Sequence, residues 1–331
     1  MMRIAIAGKN QVAIDGMNAA LALGMESPVY CVANRSDDGT DRWQPSFRKC
    51  AASSGRVELV DLDDLFDIDD LLFFSLEFDR ILKPERFRSA ALFNLHFSLL
   101  PAYRGMYTST MPLRNGEAES GVTLHRIDDG IDTGPVVAQR SFPILIDDTA
   151  RDLYFKYMRA GSRLFRENLD SVLLGNFSQT DQPETGSSYT SRSAIDYGDL
   201  KIDMNRTASQ VHNQIRAYIF REYQLPAIGG IPIYRSQMTD IRSGEKPGTL
   251  SDRTQHTLRL ATSDYDLILF PDRFDDALAA IRADDHPSLR QILAQFASLA
   301  DEQDPQGQSL LGQARKSHAV NCLEILESAG S

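Results

Sequence analysis

The sequence is short of several things, and each shortage closes off a class of function. No apolar run approaches the roughly 18 residues a membrane-spanning helix requires, so we expect no membrane partner and a cytoplasmic location. Cysteine is scarce: the three residues, Cys31, Cys50 and Cys322, are scattered with no CxxC spacing. That pattern gives neither a zinc site nor a redox pair, implies no metal, and fits a reducing compartment. Basic charge is outnumbered, with 35 Lys and Arg against 46 Asp and Glu and a formal net charge of -11. Without a cluster of Lys and Arg to neutralise phosphates, no nucleic-acid partner is expected. The opening AGKNQVAIDG lacks both GxGxxG and GxxxxGK[ST], which argues against a dinucleotide cofactor.

What is present is ordinary globular composition, 42% hydrophobic and 24% charged over 331 residues, enough for two or three domains. Strand-like and helix-like segments alternate. RIAIAG reads as a buried strand, QVAIDGMNAALALG as an amphipathic helix and SPVYCVAN as a strand. LDDLFDIDDLLFFSL reads as a short helix feeding a strand, PERFRSAALFNLHFS as helix then strand, and about 151–174 as one long helix. Such alternation predicts an α/β fold with a mostly parallel sheet and a crevice at the strand carboxyl ends. Turn formers dominate 175–193, as in a linker or long hairpin loop. A capped helix and paired strands (TLRLATSDYDLILF) then predict a small α+β unit. The division expected is 1–185, 186–275 and 276–331.

NLHFSLLPAYRG, residues 94–105, ends a strand with two polar groups on one face, because residues two apart in a strand point the same way. Asn94 and His96 therefore look out together. The tail DPQGQSLLGQARKSHAVNCLEILESAG orders a turn, two helical segments and a cap at Gly330, which resembles an ankyrin repeat preceded by a degenerate one in HPSLRQILAQFASLADEQD. Such a unit must stack on other structure, and we expect it to pack or stabilise a dimer rather than bind.

The string Asn-x-His, SLLP, YRG, GVTLH and then D-x-G-x-D-T-G (residues 94–134) resembles the N10-formyltetrahydrofolate-dependent formyltransferase family, which includes methionyl-tRNA formyltransferase and the sugar N-formyltransferases. The likeness covers roughly residues 1–270 and implies a Rossmann-like catalytic domain. It implies that Asn94, His96 and Asp132 are the catalytic group, with His125 either joining them or supporting the folate loop. In that chemistry Asn94 donates to an oxyanion, His96 acts as base or electrostatic partner, and Asp132 orients the imidazole.

The resemblance also implies N10-formyltetrahydrofolate as cosubstrate, held by Ser75, Leu76, Glu77, Phe78 and Asp79 and by the loop containing Asp128 and Gly130. The segments YRGMYTSTMPLRNG, DRWQPSF and NQIRAYIFREYQLPAIGG look like the sugar N-formyltransferases acting on dTDP-linked aminodideoxyhexoses. On that likeness Arg216 would hold a diphosphate, one of Tyr218, Phe220 or Tyr223 would stack on thymine, with Tyr223 favoured by its place in the loop REYQLP, and Met106 and Tyr107 would border the sugar. Trp43 and Gln44 would shape a nearby loop. The acceptor amine stays open at C-3 or C-4, and a homodimer serving bacterial surface polysaccharide (O-antigen) synthesis is expected. Other acceptors, a formyltetrahydrofolate hydrolase and a non-enzymatic ankyrin binding module are the alternatives.

Overall fold

The computed structural model describes residues 2–88, 90–254 and 256–329. In chain order the elements are β1 (Arg3–Gly8), α1 (Asn10–Ala22), β2 (Val29–Ala33), α2 (Phe47–Ala52), β3 (Val57–Leu59), β4 (Leu71–Leu76) and β5 (Ala90–His96). Then come β6 (Arg104–Gly105), α3 (Met111–Asn115), β7 (Glu119–Arg126), β8 (Val136–Pro143), α4 (Ala150–Leu173) and β9 (Tyr189–Thr190). The remainder is α5 (Ala208–Ala217), β10 (Ala227–Ile228), β11 (Ile231–Arg242), β12 (Leu250–Ser251), β13 (Leu258–Leu260), β14 (Tyr265–Pro271), α6 (Phe274–Arg282), α7 (His286–Gln295), α8 (Leu310–Ser317) and α9 (Val320–Ala329). No helix among the described residues is long and apolar enough to cross a membrane.

The chain forms two compact units. The first comprises the chain up to Pro112, Glu117–Ile146 and Asp152–Ile195. Its seven-stranded sheet has the order β3-β2-β1-β4-β5-β7-β8. The strands from β3 to β5 are parallel, whereas β7 and β8 add on antiparallel. Parallel strands are covered on both faces, which is why β4 reads LLFFSL and is buried at every position.

Alternate residues of the strands fill two cores. On one face Ala5, Ala7, Leu71, Phe73 and Leu92 pack with Val32, Leu65 and Phe87. On the other, Phe74 stacks on Phe93 and meets Phe165 of α4 edge-on at 5.0 Å. Helix α4 lies close on β5 because Gly161 leaves no side chain there; a Cβ would stand 2.9 Å from Leu95 Cδ2. That close approach fixes the height of the strand that carries Asn94 and His96.

The second unit comprises Leu113–Gly116, Asp147–Arg151 and the chain from Asp196 onward. Thr207 caps α5 through a reciprocal box with Gln210, the arrangement that satisfies first-turn amides. The helix ends at Ala217 and packs on a five-stranded sheet of order β10-β11-β14-β13-β12. The expected strand pair is β13 against β14, antiparallel.

The tail is larger than its sequence suggested, because α6 starts the first helical pair. Pair α6–α7 stacks on pair α8–α9 around Phe274, Leu278, Ile281, Leu289, Leu310 and Cys322. These helices share a compact unit with the sheet rather than forming one of their own. Their junction with it is ionic and buried: Arg221 binds Asp272 (2.9 Å) and Glu302 (2.7 Å), and Tyr234 donates to Glu302 at 2.8 Å. Gly330, expected as the cap, lies outside the described residues.

Truncation of Phe74 removes a ring wedged between strand and helix. Phe74→Ala should lower unfolding free energy by about 3–5 kcal/mol, measured by chemical denaturation.

Candidate active site

Asn94 and His96 end β5, and the antiparallel partner β7 sets His125 directly across from Asn94. Asp132 arrives from the loop after β7. Asp128 builds that loop by accepting from the Gly130 N–H at 3.1 Å and the Thr133 hydroxyl at 2.6 Å. Gln182 secures it through the carbonyls of Asp132 and Gly134, both at 2.8 Å. Gly134 is required by crowding, since a Cβ there would sit 2.0 Å from the Arg126 carbonyl oxygen. Asp132 itself takes a left-handed backbone with φ 55°, a conformation that non-glycine residues hold at functional sites at a cost of about 1–3 kcal/mol.

The expected group of Asn94, His96 and Asp132 thus comes together, and His125 joins it. The Asn94 amide donates to His125 Nε2 (3.1 Å) and to Asp132 Oδ1 (3.3 Å). The other oxygen of Asp132 accepts the Gly105 N–H at 2.9 Å and lies 3.5 Å from His96 Nδ1.

Two backbone carbonyls decide the tautomers, because a carbonyl can only accept. His96 Nε2 meets the Tyr103 carbonyl at 2.8 Å, so Nε2 carries the hydrogen and Nδ1 holds the lone pair. His125 Nδ1 meets the Arg126 carbonyl at 2.7 Å, so its Nε2 is the bare nitrogen that accepts from Asn94.

Burial pushes the His96 pKa below its ordinary 6.5, against the pull of Asp132 and the Tyr103 carbonyl, which both favour the cation. His96 is therefore neutral at pH 7. Burial opposes ionisation of Asp132 too, but His96, His125 and the Gly105 N–H outweigh it and hold the carboxyl down to about 2. A fixed anion beside a neutral imidazole with its lone pair turned inward is a proton acceptor whose protonated form is stabilised in place.

The residues expected to hold the cofactor have partners within the fold. Ser75 and Leu76 are buried in β4, with Ser75 paired to Asn94 in the strand register. Asn34 fastens the next turn by donating to the Glu77 carbonyl (2.9 Å) and accepting from the Asp79 N–H (3.2 Å). Asp79 in turn accepts the Arg35 N–H, and Phe78 packs on Phe73. The Glu77 side chain accepts from the Tyr154 hydroxyl at 2.7 Å, and Tyr154 accepts from Asn10 at 2.9 Å. Burial raises the Glu77 pKa, with Lys9, Tyr154 and Asn10 opposing that shift.

Among the expected sugar and nucleotide contacts, Met106 is exposed, and the Tyr107 hydroxyl donates to the Arg192 carbonyl at 2.6 Å. Trp43 meets Tyr154 and Phe155 edge-on. Three of the expected contacts are buried. Arg216 donates to Asn213 Oδ1 (2.9 Å) and the Asp148 carbonyl (3.1 Å), so its guanidinium is engaged within the fold. Tyr218 and Phe220 are buried as well and offer no open face for a base. Of the three aromatics, Tyr223 is exposed, with its ring 4.8 Å from Phe220.

Two outcomes follow. Gly134→Ala should destabilise the protein by about 1–3 kcal/mol, read by thermal melting. For His96 the native pKa lies below the unfolded value of 6.5, so the unfolded chain binds the proton more tightly and stability falls as pH drops through 6.5. His96→Gln should lose that part of the acid sensitivity, measured by denaturation at a series of pH values.

Residues 73–169 match the family model for formyl transferase. The sugar 3N-formyltransferase WlaRD, solved in the presence of dTDP and 5-N-formyl-THF, is 41% identical with a TM-score of 0.77, over 82% of this chain and 98% of its own. The N-formyltransferase from Helicobacter canadensis, in complex with folinic acid and dTDP-3-aminofucose, is 40% identical with a TM-score of 0.77, over 82% of this chain and 100% of its own. A 4-N formyltransferase from Francisella tularensis shares the fold at 20% identity and a TM-score of 0.54, over 67% of this chain and 90% of its own. With two relatives at this identity matched along almost their whole length, the chain belongs to the formyltransferase family, among the sugar N-formyltransferases.

Proposed function

We propose that this enzyme transfers the formyl group of N10-formyltetrahydrofolate to the 3-amine of a dTDP-linked 3-amino-dideoxyhexose. The observation that carries the reading is the set of Asn94, His96, His125 and Asp132 held within hydrogen-bonding reach at one strand end. The ligands bound by the WlaRD and H. canadensis enzymes support the acceptor class and the C-3 position.

The chemistry asked of the residues is modest and balanced. As the sugar amine bonds to the formyl carbon, His96 Nδ1 takes its proton, and the nascent imidazolium is met by Asp132. Asn94 stabilises the oxygen that becomes negative; both of its N–H groups already point at acceptors, so it does this by sharing or turning one of them. Collapse breaks the bond from carbon to N10, and the proton held between His96 and Asp132 goes to that nitrogen. The buried carboxylate never needs to be neutralised, which keeps the base regenerable. Both histidines are buried.

We read the tail as two ankyrin-like units. The paired helices and a repeat close to the 33-residue period support this. A nucleotide-linked product is the activated form that a glycosyltransferase consumes, which supports a place ahead of surface-polysaccharide assembly.

Incubation with N10-formyltetrahydrofolate and a panel of dTDP-3-amino and dTDP-4-amino sugars tests the reading by product mass and tetrahydrofolate release. A product one formyl group heavier from a 3-amino sugar is expected; tetrahydrofolate release independent of sugar would instead mark a hydrolase. Asn94→Ala should lower kcat by about 10²–10³ and His96→Ala by about 10²–10⁴, measured in that assay. The acid limb of the kcat/KM profile should lie below pH 6.5, and Asp132→Asn should move it lower still, since Asp132 raises the His96 pKa.

A further inference from the structure

Asp132 is gripped at both its side chain and its backbone, and a residue much later in the chain closes the grip. Gly105 donates its N–H to Asp132 Oδ2 at 2.9 Å. The preceding residue, Arg104, donates through Nε (3.1 Å) and Nη2 (2.7 Å) to the side-chain oxygen of Gln182. The Gln182 amide nitrogen then donates to the carbonyls of Asp132 and Gly134, both at 2.8 Å. These contacts form a closed ring from the Asp132 carboxylate through Gly105, Arg104 and Gln182 back to the Asp132 backbone. We infer that Gln182, oriented by Arg104, is a positioning residue that holds Asp132 against His96 for formyl transfer. The inference rests on the roles given to Asp132 and His96 above.

The chemistry of the ring calls for an amide at this position. A guanidinium only donates and a carbonyl only accepts, so the Gln182 side chain has one allowed orientation. Its oxygen takes two hydrogens from Arg104, and its nitrogen spends both of its own on the loop. A carboxylate here would set acceptor against acceptor at both carbonyls. A lysine would have nothing with which to accept from Arg104.

Other contacts already build the surrounding fold. Asp128 shapes the loop from within. Thr180 exchanges two backbone hydrogen bonds with Val136, at 2.8 and 2.9 Å, and β9 pairs with β6. What is left for the Gln182 side chain is the placement of Asp132, whose left-handed backbone (φ 55°) persists only where its surroundings over-determine it. Asp132 Oδ2 stands 3.5 Å from His96 Nδ1, a separation that a small shift of the loop would open. A misplacement of about 1 Å can cost on the order of 10²-fold in rate.

The same segment also serves His96. Ser188 accepts the Tyr103 N–H on its hydroxyl at 2.7 Å and the Arg104 N–H on its carbonyl at 2.8 Å. Tyr103 is thereby held with its own carbonyl on His96 Nε2. The stretch that reads as a linker is thus a strap that fixes both partners of the proton transfer.

Gln182→Met keeps the length of the side chain and removes its hydrogen bonds, whereas Gln182→Glu keeps the contact with Arg104 and opposes the two carbonyls. Each should lower kcat roughly tenfold to hundredfold with little change in KM, measured with the sugar the wild-type enzyme formylates. A nitrogen NMR titration of the His96 ring needs no acceptor. Burial lowers the His96 pKa, Asp132 and the Tyr103 carbonyl raise it, and His125 lowers it. A loosened Asp132 should therefore move the His96 midpoint, and with it the acid limb of kcat/KM, to lower pH in both variants. Asp132→Asn supplies the reference. If Asp132→Asn loses activity while both Gln182 variants turn over and titrate as wild type does, the inference falls. A lowered melting temperature with kcat and the His96 midpoint unchanged would make Gln182 a structural clamp and overturn it equally. If Asp132→Asn itself changes neither readout, the roles given to Asp132 and His96 fail first and the inference falls with them. If no panel sugar is formylated, the midpoint decides: a shift to lower pH in either variant upholds the positioning role, and an unshifted one overturns it.

Discussion

The buried carboxylate of Asp132 is the interaction on which the site depends. It is ionised in a place that disfavours charge, with the Gly105 N–H and the Asn94 amide donating to it. Removing a buried carboxylate from such a shell leaves its donors unpaired, a cost of several kcal/mol where measured in other proteins. Much of the local architecture is devoted to its delivery: the Asp128 turn, the Gln182 clamp, the missing side chain at Gly134 and a left-handed backbone at Asp132 itself.

Sheet and loop divide the work. The parallel strands set β5 at a fixed height, with α4 pressed on it through Gly161, so Asn94 and His96 have little freedom. The antiparallel addition of β7 supplies His125 in register, and its continuation supplies the loop. Strand pairing thus gives the precision and the loop gives the charge.

The legibility of the sequence follows the range of the interactions. Strand alternation placed Asn94 and His96 on one face because it is local, whereas Asp132 was reached only through the resemblance of its D-x-G-x-D-T-G loop to a known family. The pairing of Asn94 with His125 is a cross-strand contact, and the only sign of it was a polar residue ending the GVTLH run. The burial of Arg216 at the end of α5, and of Tyr218 and Phe220 just after it, is set by packing that no local pattern reveals, whereas Tyr223 in the following loop is exposed. Helix α6 was hidden because the preceding strand runs nearly into it.

Nδ1 of His96 is the proposed proton acceptor, and the two histidines are held in opposite tautomers. Long-range nitrogen–proton NMR on protein labelled with 15N in histidine reads this directly at pH 7. Expected are His96 protonated at Nε2 alone and a hydrogen on Nδ1 of His125, donated to the Arg126 carbonyl. A His96 ring carrying its single hydrogen on Nδ1, or doubly protonated at that pH, would contradict it.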